Sequence, residues 1–370
     1  MALRFPPDEV VVYTSAEPGP ATEEFDAAQP FPVVRDRARL LLPTPRTTAI
    51  ARALAFRYGC DRVWFGAAAP LALMAGRLGL PSVATTHGHE MAWAAVPGAR
   101  GALRRIGRTA GTVTYLTAHS RARMAAALGP HARTARLVPG VDADRFDAAR
   151  PVAGRPGGAG GAGAAADVRR QLGLGARPLI LSVSRLVPRK GQDTLIRALP
   201  LVRRTVPDAT LLIVGGGPYA RALRRSARAQ RARHGLPHDA IVFAGPKEHA
   251  ELPPYYAAAD AFAMPCRTRR LGLEAEGLGI VYLEAAAAGL PVLAGDSGGA
   301  PDAVRDGETG YVTDGTDTGA VADRLAALLA DPEAAGEMGA KGRAWVRAEW
   351  SWDASARTLR ALLSRTVDAW

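Results

Sequence analysis

Short apolar runs of strand length alternate with helical patterns along nearly all of the chain, and no other feature limits its fold so narrowly. In the first part the runs are Val10–Tyr13, Arg62–Phe65, Pro81–Thr86 and Thr112–Leu116. In the second they are Leu179–Val183, Thr210–Val214, Ala240–Ala244, Ala259–Met264 and Leu290–Ala294. Helical patterns fall between them at Pro70–Leu78, Ser120–Leu128 and Thr194–Arg204, and the stretch from Thr318 onward reads as several helices. Near-continuous apolar runs spaced by helices indicate parallel sheets covered on both faces. The expectation is α/β architecture, and 370 residues suffice for two domains.

The division falls at residues 151–166, a Gly, Ala and Pro stretch read as a flexible linker or loop insertion. It is not a phosphate-binding glycine loop, because no strand precedes it and no Gly-Lys-Ser/Thr follows. The reading is therefore residues 1–150 as one Rossmann-like domain, 151–177 as linker or insertion, and 178–350 as a second Rossmann-like domain. Residues 351–370 read as a C-terminal helix packing back on the first domain. Two such domains imply a cleft between them, where ligands usually sit.

Composition removes several classes. The net charge is +12, but only three basic residues are Lys and 44 are Arg, alongside 40 Gly. That skew fits the codon habit of a GC-rich genome, so it says little about a binding surface; its sign still favours phosphates and anionic lipids. The longest apolar stretch, Ala67–Gly76, stops at Arg77, too short to span a membrane. The opening residues lack a signal-peptide pattern. Cys60 and Cys266 are too few for a disulfide framework or a zinc site. A cytoplasmic protein with reduced thiols is expected. Nucleic-acid binding would rest on charge alone, with no helix-turn-helix, zinc or aromatic platform, so no nucleic-acid partner is expected.

The chemistry concentrates near Glu276 and Glu284. The first carboxylate precedes a Gly277-Leu278-Gly279 turn, and the second lies in the helical run that starts near Ile280. A turn entering a helix offers unpaired backbone N–H groups, and carboxylates accept hydrogen bonds from vicinal diols. Taken alone, a pair at this spacing reads as one solvated and one helix-surface Glu. The context adds Ser184-Arg185-Leu186-Val187-Pro188-Arg189-Lys190-Gly191, placed after a strand and before a helix. There Arg185 and Lys190 could neutralise a diphosphate. Gly215-Gly216-Gly217-Pro218 and Ser297-Gly298-Gly299-Ala300-Pro301-Asp302 complete the pattern.

On these motifs the chain resembles glycosyltransferase family 4, retaining nucleotide-sugar transferases of the two-domain GT-B fold. The stretch MPCRTRRLGLEAEGLGIVYLEAAAAGLPVLAGDSGGAPDAVRDGETGYV (264–312) and TTHGHEMAW (85–93) resemble the actinobacterial phosphatidylinositol-mannoside mannosyltransferases. The resemblance implies two Rossmann-like domains facing across a cleft, with the acceptor on the N-terminal side. It implies GDP-mannose as donor, a lipid-linked or inositol-containing acceptor, and no metal or other cofactor. Arg185 and Lys190 would hold the donor diphosphate, with Gly215 nearby. Glu276 would meet the sugar, assisted by backbone amides near Gly279 and Ile280, and Glu284 the ribose hydroxyls. His87 would face the sugar and acceptor. Catalytic roles are thus expected for His87, Glu276, Arg185 and Lys190, through a front-face mechanism in which the donor phosphate takes the acceptor proton. A glycosidase-like pairing of Glu276 with Glu284 is the competing chemistry. Another nucleotide sugar, such as UDP-N-acetylglucosamine delivered to inositol phosphate, and a non-catalytic sugar-nucleotide binder are the competing functions.

Asp142-Ala143-Asp144 matches the metal motif of the other major glycosyltransferase fold, but its context, Val138-Pro139-Gly140-Val141-Asp142, resembles the family 4 domain end, so a structural role is expected. Between Glu90 and Asp142 there are eight Arg and no acid, with Arg104, Arg105 and Arg108 on one helix near Trp93. On the residues alone, plain solvation and docking on an anionic membrane surface fit that pattern equally; the family resemblance implies docking, with a peripheral place on the inner face of the plasma membrane. The six Arg from Arg221 to Arg233 read as a solvated helix face. Finally, the family's usual first strand and Gly-Gly loop are missing ahead of Val10, which points to a late-called start.

Overall fold

The computed structural model describes residues 1–17, 19–147, 159–272 and 274–365. The chain forms two compact units: residues 1–140 with the helix Trp352–Arg365, and residues 141–351.

The first unit holds two parallel sheets. Strands β1 (Val12–Thr14) and β2 (Val33–Arg35) pair with each other, Val12 opposite Val33. Strands β3 (Val63–Phe65), β4 (Ser82–Thr85), β5 (Thr112–Tyr115) and β6 (Thr134–Arg136) follow in sequence order in the second sheet. The helix Pro97–Thr109 buries Leu103 and Ile106, one turn apart, against Phe65, Val113 and Met124. On the other side, Leu359 and Leu363 of Trp352–Arg365, again one turn apart, pack against Val83 and Leu137.

The second unit carries one six-stranded parallel sheet. Its strands are β7 (Leu179–Val183), β8 (Thr210–Val214), β9 (Ile241–Gly245), β10 (Ala261–Met264), β11 (Val292–Gly295) and β12 (Gly310–Thr313). The order across the sheet is β12-β11-β10-β7-β8-β9. Every residue of β7, β8, β10 and β11 is buried, as strands covered by helices on both faces require.

One segment departs from the linker reading. Ala159–Gln171 forms a helix within the second unit, while residues 151–158 lie outside the described residues. The alanines are strong helix formers despite the interspersed glycines, and Ala165, Val168 and Leu174 supply a buried stripe. Arg169 fixes it, its Nε donating to Ala258 O at 2.8 Å and its Nη2 meeting Asp260 Oδ2 at 3.0 Å.

Candidate active site

Strands β7 and β10 lie side by side, Ile180 opposite Ala261, yet the chain leaves them toward opposite edges of the sheet. Such a switch in strand order opens a crevice at the C-terminal strand ends, where α/β proteins bind ligands. The two segments leaving those ends are 184–191 and 265–279. The first tightens into a turn at Pro188–Lys190 and enters the helix Gln192–Thr205 through left-handed Gly191 (φ 76°). Three glycines from separate segments crowd the Pro265–Cys266 backbone. A Cβ on Gly191 would lie 1.9 Å from Pro265 O, one on Gly295 1.8 Å from Cys266 O, and one on Gly315 2.4 Å from either oxygen. Arg267 completes the clamp. Its N–H donates to Arg189 O at 2.8 Å, and its guanidinium reaches both oxygens of buried Asp193 at 2.8 and 3.0 Å.

This packing brings Lys190 and Glu276 together. Lys190 Nζ lies 2.7 Å from Glu276 Oε2, and Arg189 Nη1 donates to the same oxygen at 2.6 Å. The lysine and the glutamate are buried, at 8% and 6% exposure, and a carboxylate so desolvated needs such compensation. Oε1 has no partner among the described residues. The backbone of Glu276 is held from behind, its N–H donating to Ser297 Oγ at 3.3 Å and its carbonyl accepting from Gly299 at 2.8 Å. The Ser-Gly-Gly motif thus serves as the seat of Glu276. Arg185 lies on the same segment, exposed, without a side-chain partner among the described residues. Arg189 was legible only as the neighbour of Lys190; its pairing was not.

Gly279 (φ 80°) starts the helix Ile280–Ala287, and a Cβ there would strike the Tyr282 ring at 2.5 Å. That helix presents Glu284, 3% exposed. Tyr256 Oη donates to Glu284 Oε2 at 2.8 Å, and His249 Nε2 lies 2.9 Å from Oε1. Burial pushes the Tyr256 hydroxyl well above its usual pKa, reinforced by the Glu284 charge, so it stays a neutral donor. Neither His249 nor Tyr256 carries a sequence signal, because chain topology alone brings them to Glu284. Glu276 and Glu284 are therefore held by separate sets of partners, unlike a cooperating acid and nucleophile pair. Gly215 is committed to packing. Its N–H donates to Gly245 O at 2.8 Å, and a Cβ would lie 2.0 Å from Ser184 O. That amide is engaged within the second unit.

In the first unit His87 follows the end of β4, exposed, with its ring on Gly66 O. Fully buried Glu90 organises the turn, Oε2 accepting from the N–H of His87 at 3.0 Å and of Gly88 at 3.1 Å. Asp142 and Asp144 are structurally engaged: Asp142 Oδ1 accepts from Arg145 N at 3.4 Å, and Asp144 pairs with Arg347 at 3.0 Å. Among the described residues no three His, Cys, Asp or Glu side chains cluster as metal ligands, and no helix is long and apolar enough to cross a membrane.

Comparison with known proteins bears directly on these motifs. The family described as Glycosyltransferase Family 4 matches residues 5–145, and the family Glycosyl transferases group 1 matches residues 166–345. The GDP-mannose-dependent alpha-(1-6)-phosphatidylinositol monomannoside mannosyltransferase of Mycolicibacterium smegmatis is 48% identical over 369 residues, 98% of this chain and 91% of that protein. The chain belongs to glycosyltransferase family 4. A second relative of this glycosyltransferase is the GDP-mannose-dependent monoacylated alpha-(1-6)-phosphatidylinositol monomannoside mannosyltransferase of Corynebacterium glutamicum. It is 42% identical, covering 96% of this chain and 90% of that one. Among solved structures, Anabaena HepE in complex with UDP aligns with a TM-score of 0.73 at 19% identity, covering 96% of this chain and 99% of that one. The glycosyltransferase thus has the GT-B architecture of two Rossmann-like units.

Proposed function

We propose that this glycosyltransferase moves an α-mannosyl group from GDP-mannose to a phosphatidylinositol mannoside. The observation that carries the reading is the 48% identity, across nearly the whole chain, to an enzyme named for that reaction. The paired Lys190 and Glu276 at the strand-order switch support the placement of the donor. On this reading Lys190 and exposed Arg185 receive the diphosphate, Arg189 keeps the Glu276 charge compensated, and Glu276 Oε1 accepts a sugar hydroxyl. The amides of Gly279 and Ile280 assist, Glu284 takes the ribose diol, and His87 serves the sugar and acceptor side. The bond from the anomeric carbon to the diphosphate oxygen breaks while the acceptor oxygen bonds the same face. The acceptor proton passes to the departing phosphate. The protein supplies positioning and cations matched to the charge that develops.

An anionic membrane surface fits as the place of action, at a cytoplasmic membrane face. In Pro97–Thr109 the apolar side is spent on the core, leaving Arg100, Arg104, Arg105 and Arg108 exposed. Trp93 packs against that same core, so the attraction would be chiefly electrostatic. The test offers GDP-mannose, UDP-glucose and UDP-N-acetylglucosamine to the enzyme with phosphatidylinositol monomannoside in anionic vesicles or with inositol phosphate. Mannosyl transfer to the lipid with retained anomeric configuration is expected. Transfer only from a UDP-sugar to inositol phosphate would sink the reading.

A further inference from the structure

Both oxygens of Glu284 have side-chain partners, two groups of opposite character. Tyr256 is fully buried, stacked on Phe262 with ring centroids 5.8 Å apart and edge-on to Phe146 at 5.4 Å. Its hold on Oε2 is part of the core. His249 has 60% of its side chain exposed and rests only edge-on against Phe146, at 6.1 Å. Arg145 Nη1 lies 3.3 Å from His249 Nδ1. A guanidinium can only donate, so Nδ1 accepts and the ring proton sits on Nε2, directed at Glu284 Oε1.

We infer that His249 is a placeholder for the nucleotide ribose: it donates to Glu284 Oε1 and gives up that oxygen when a vicinal diol arrives. The inference rests on the reading of Glu284 as the ribose carboxylate. The physical need is plain, because a carboxylate buried this deeply is costly to leave short of donors. Tyr256 fixes its aim, while His249, at the surface, can swing away without opening the core. Nucleotide binding then exchanges one charge-assisted hydrogen bond for those of the diol, so His249 acts as an internal competitor.

Calorimetric titration with GDP tests this. His249→Ala is expected to tighten GDP binding about tenfold, the lower end of what a hydrogen bond to a charged group is worth, and His249→Gln, which keeps a donor, to return it toward wild type. Unchanged or weaker binding by His249→Ala overturns the inference, as does equal behaviour of the Gln and Ala variants. A purely structural role would lower the melting temperature while leaving the GDP Kd alone, and this too counts against it. Glu284→Gln, or Glu284→Asp if the first does not fold, is expected to weaken GDP binding. If neither does, the ribose reading falls and takes the placeholder with it. If they do and His249→Ala does not tighten, the placeholder alone falls.

Discussion

In residues 141–351 six strands form one continuous sheet whose inner strands β7, β8, β10 and β11 are wholly buried, whereas in residues 1–140 two strands and four strands form separate sheets. Among the described residues β1 pairs only with β2, and β3 only with β4, so each keeps one edge without a strand partner. Exposed large apolar side chains follow the same division: Leu3, Phe25, Leu40, Leu42, Phe56, Tyr58 and Val96 in the first unit, against Ile280 in the second. The contrast teaches where rigidity is placed. The segments carrying Lys190 and Glu276 spring from the centre of the complete sheet, where neighbours on both sides fix each strand end.

The largest expected effect concerns chemistry. Lys190→Ala and Glu276→Ala should each lower kcat by about 10²–10³-fold, the usual cost of removing one preorganised charge contact. Initial rates at saturating donor check this, and wild-type rates in both variants would break the link between the continuous sheet and catalysis. Next, Leu359→Ala should destabilise the first unit by about 2–5 kcal/mol, read as a shift of one transition in a two-step melt. A shift of both transitions would show that the helix supports more than its own unit. Hydrogen exchange should then find the amides of β7 and β8 slower than those of β1 and β3 by at least about tenfold; equal rates would erase the comparison.

The smallest effect is a pH dependence. Asp36 is held down to about 2, first by the Tyr13 hydroxyl, then by the Ala38 amide and Arg46. With the folded pKa below an unfolded value of about 3.9, its stabilisation is complete above about pH 5 and fades as pH falls toward 2. The advantage of wild type over Asp36→Asn in melting temperature should therefore shrink between pH 5 and pH 3. A constant difference would remove Asp36 from the account.

Legibility followed burial more than it followed the division between units. The buried strands β7, β8, β10 and β11 announce themselves as apolar runs, because a sheet covered on both faces needs nothing else. Val33–Arg35 and Gly310–Thr313 are short, only partly buried along their length, and gave no such signal. The helix Ala159–Gln171 hid behind its glycines. At the site, Lys190 and Glu276 were readable as motif residues, and the structure sets them on one carboxylate oxygen. Arg189, His249, Tyr256 and the Arg267–Asp193 clamp were not, since each acts through a partner that only the adjacency of β7 and β10, or the helix Ile280–Ala287, brings near.

The three glycines pressed against the Pro265–Cys266 backbone carry a consequence for how this enzyme can vary. Positions 191, 295 and 315 have no side chain to offer a ligand, yet a methyl at any of them would push the peptide that leads to Glu276. In a saturation scan they should score as intolerant as Lys190 itself. Room for new donor specificity therefore lies in the exposed side chains around the crevice, and the backbone beneath them is closed to drift.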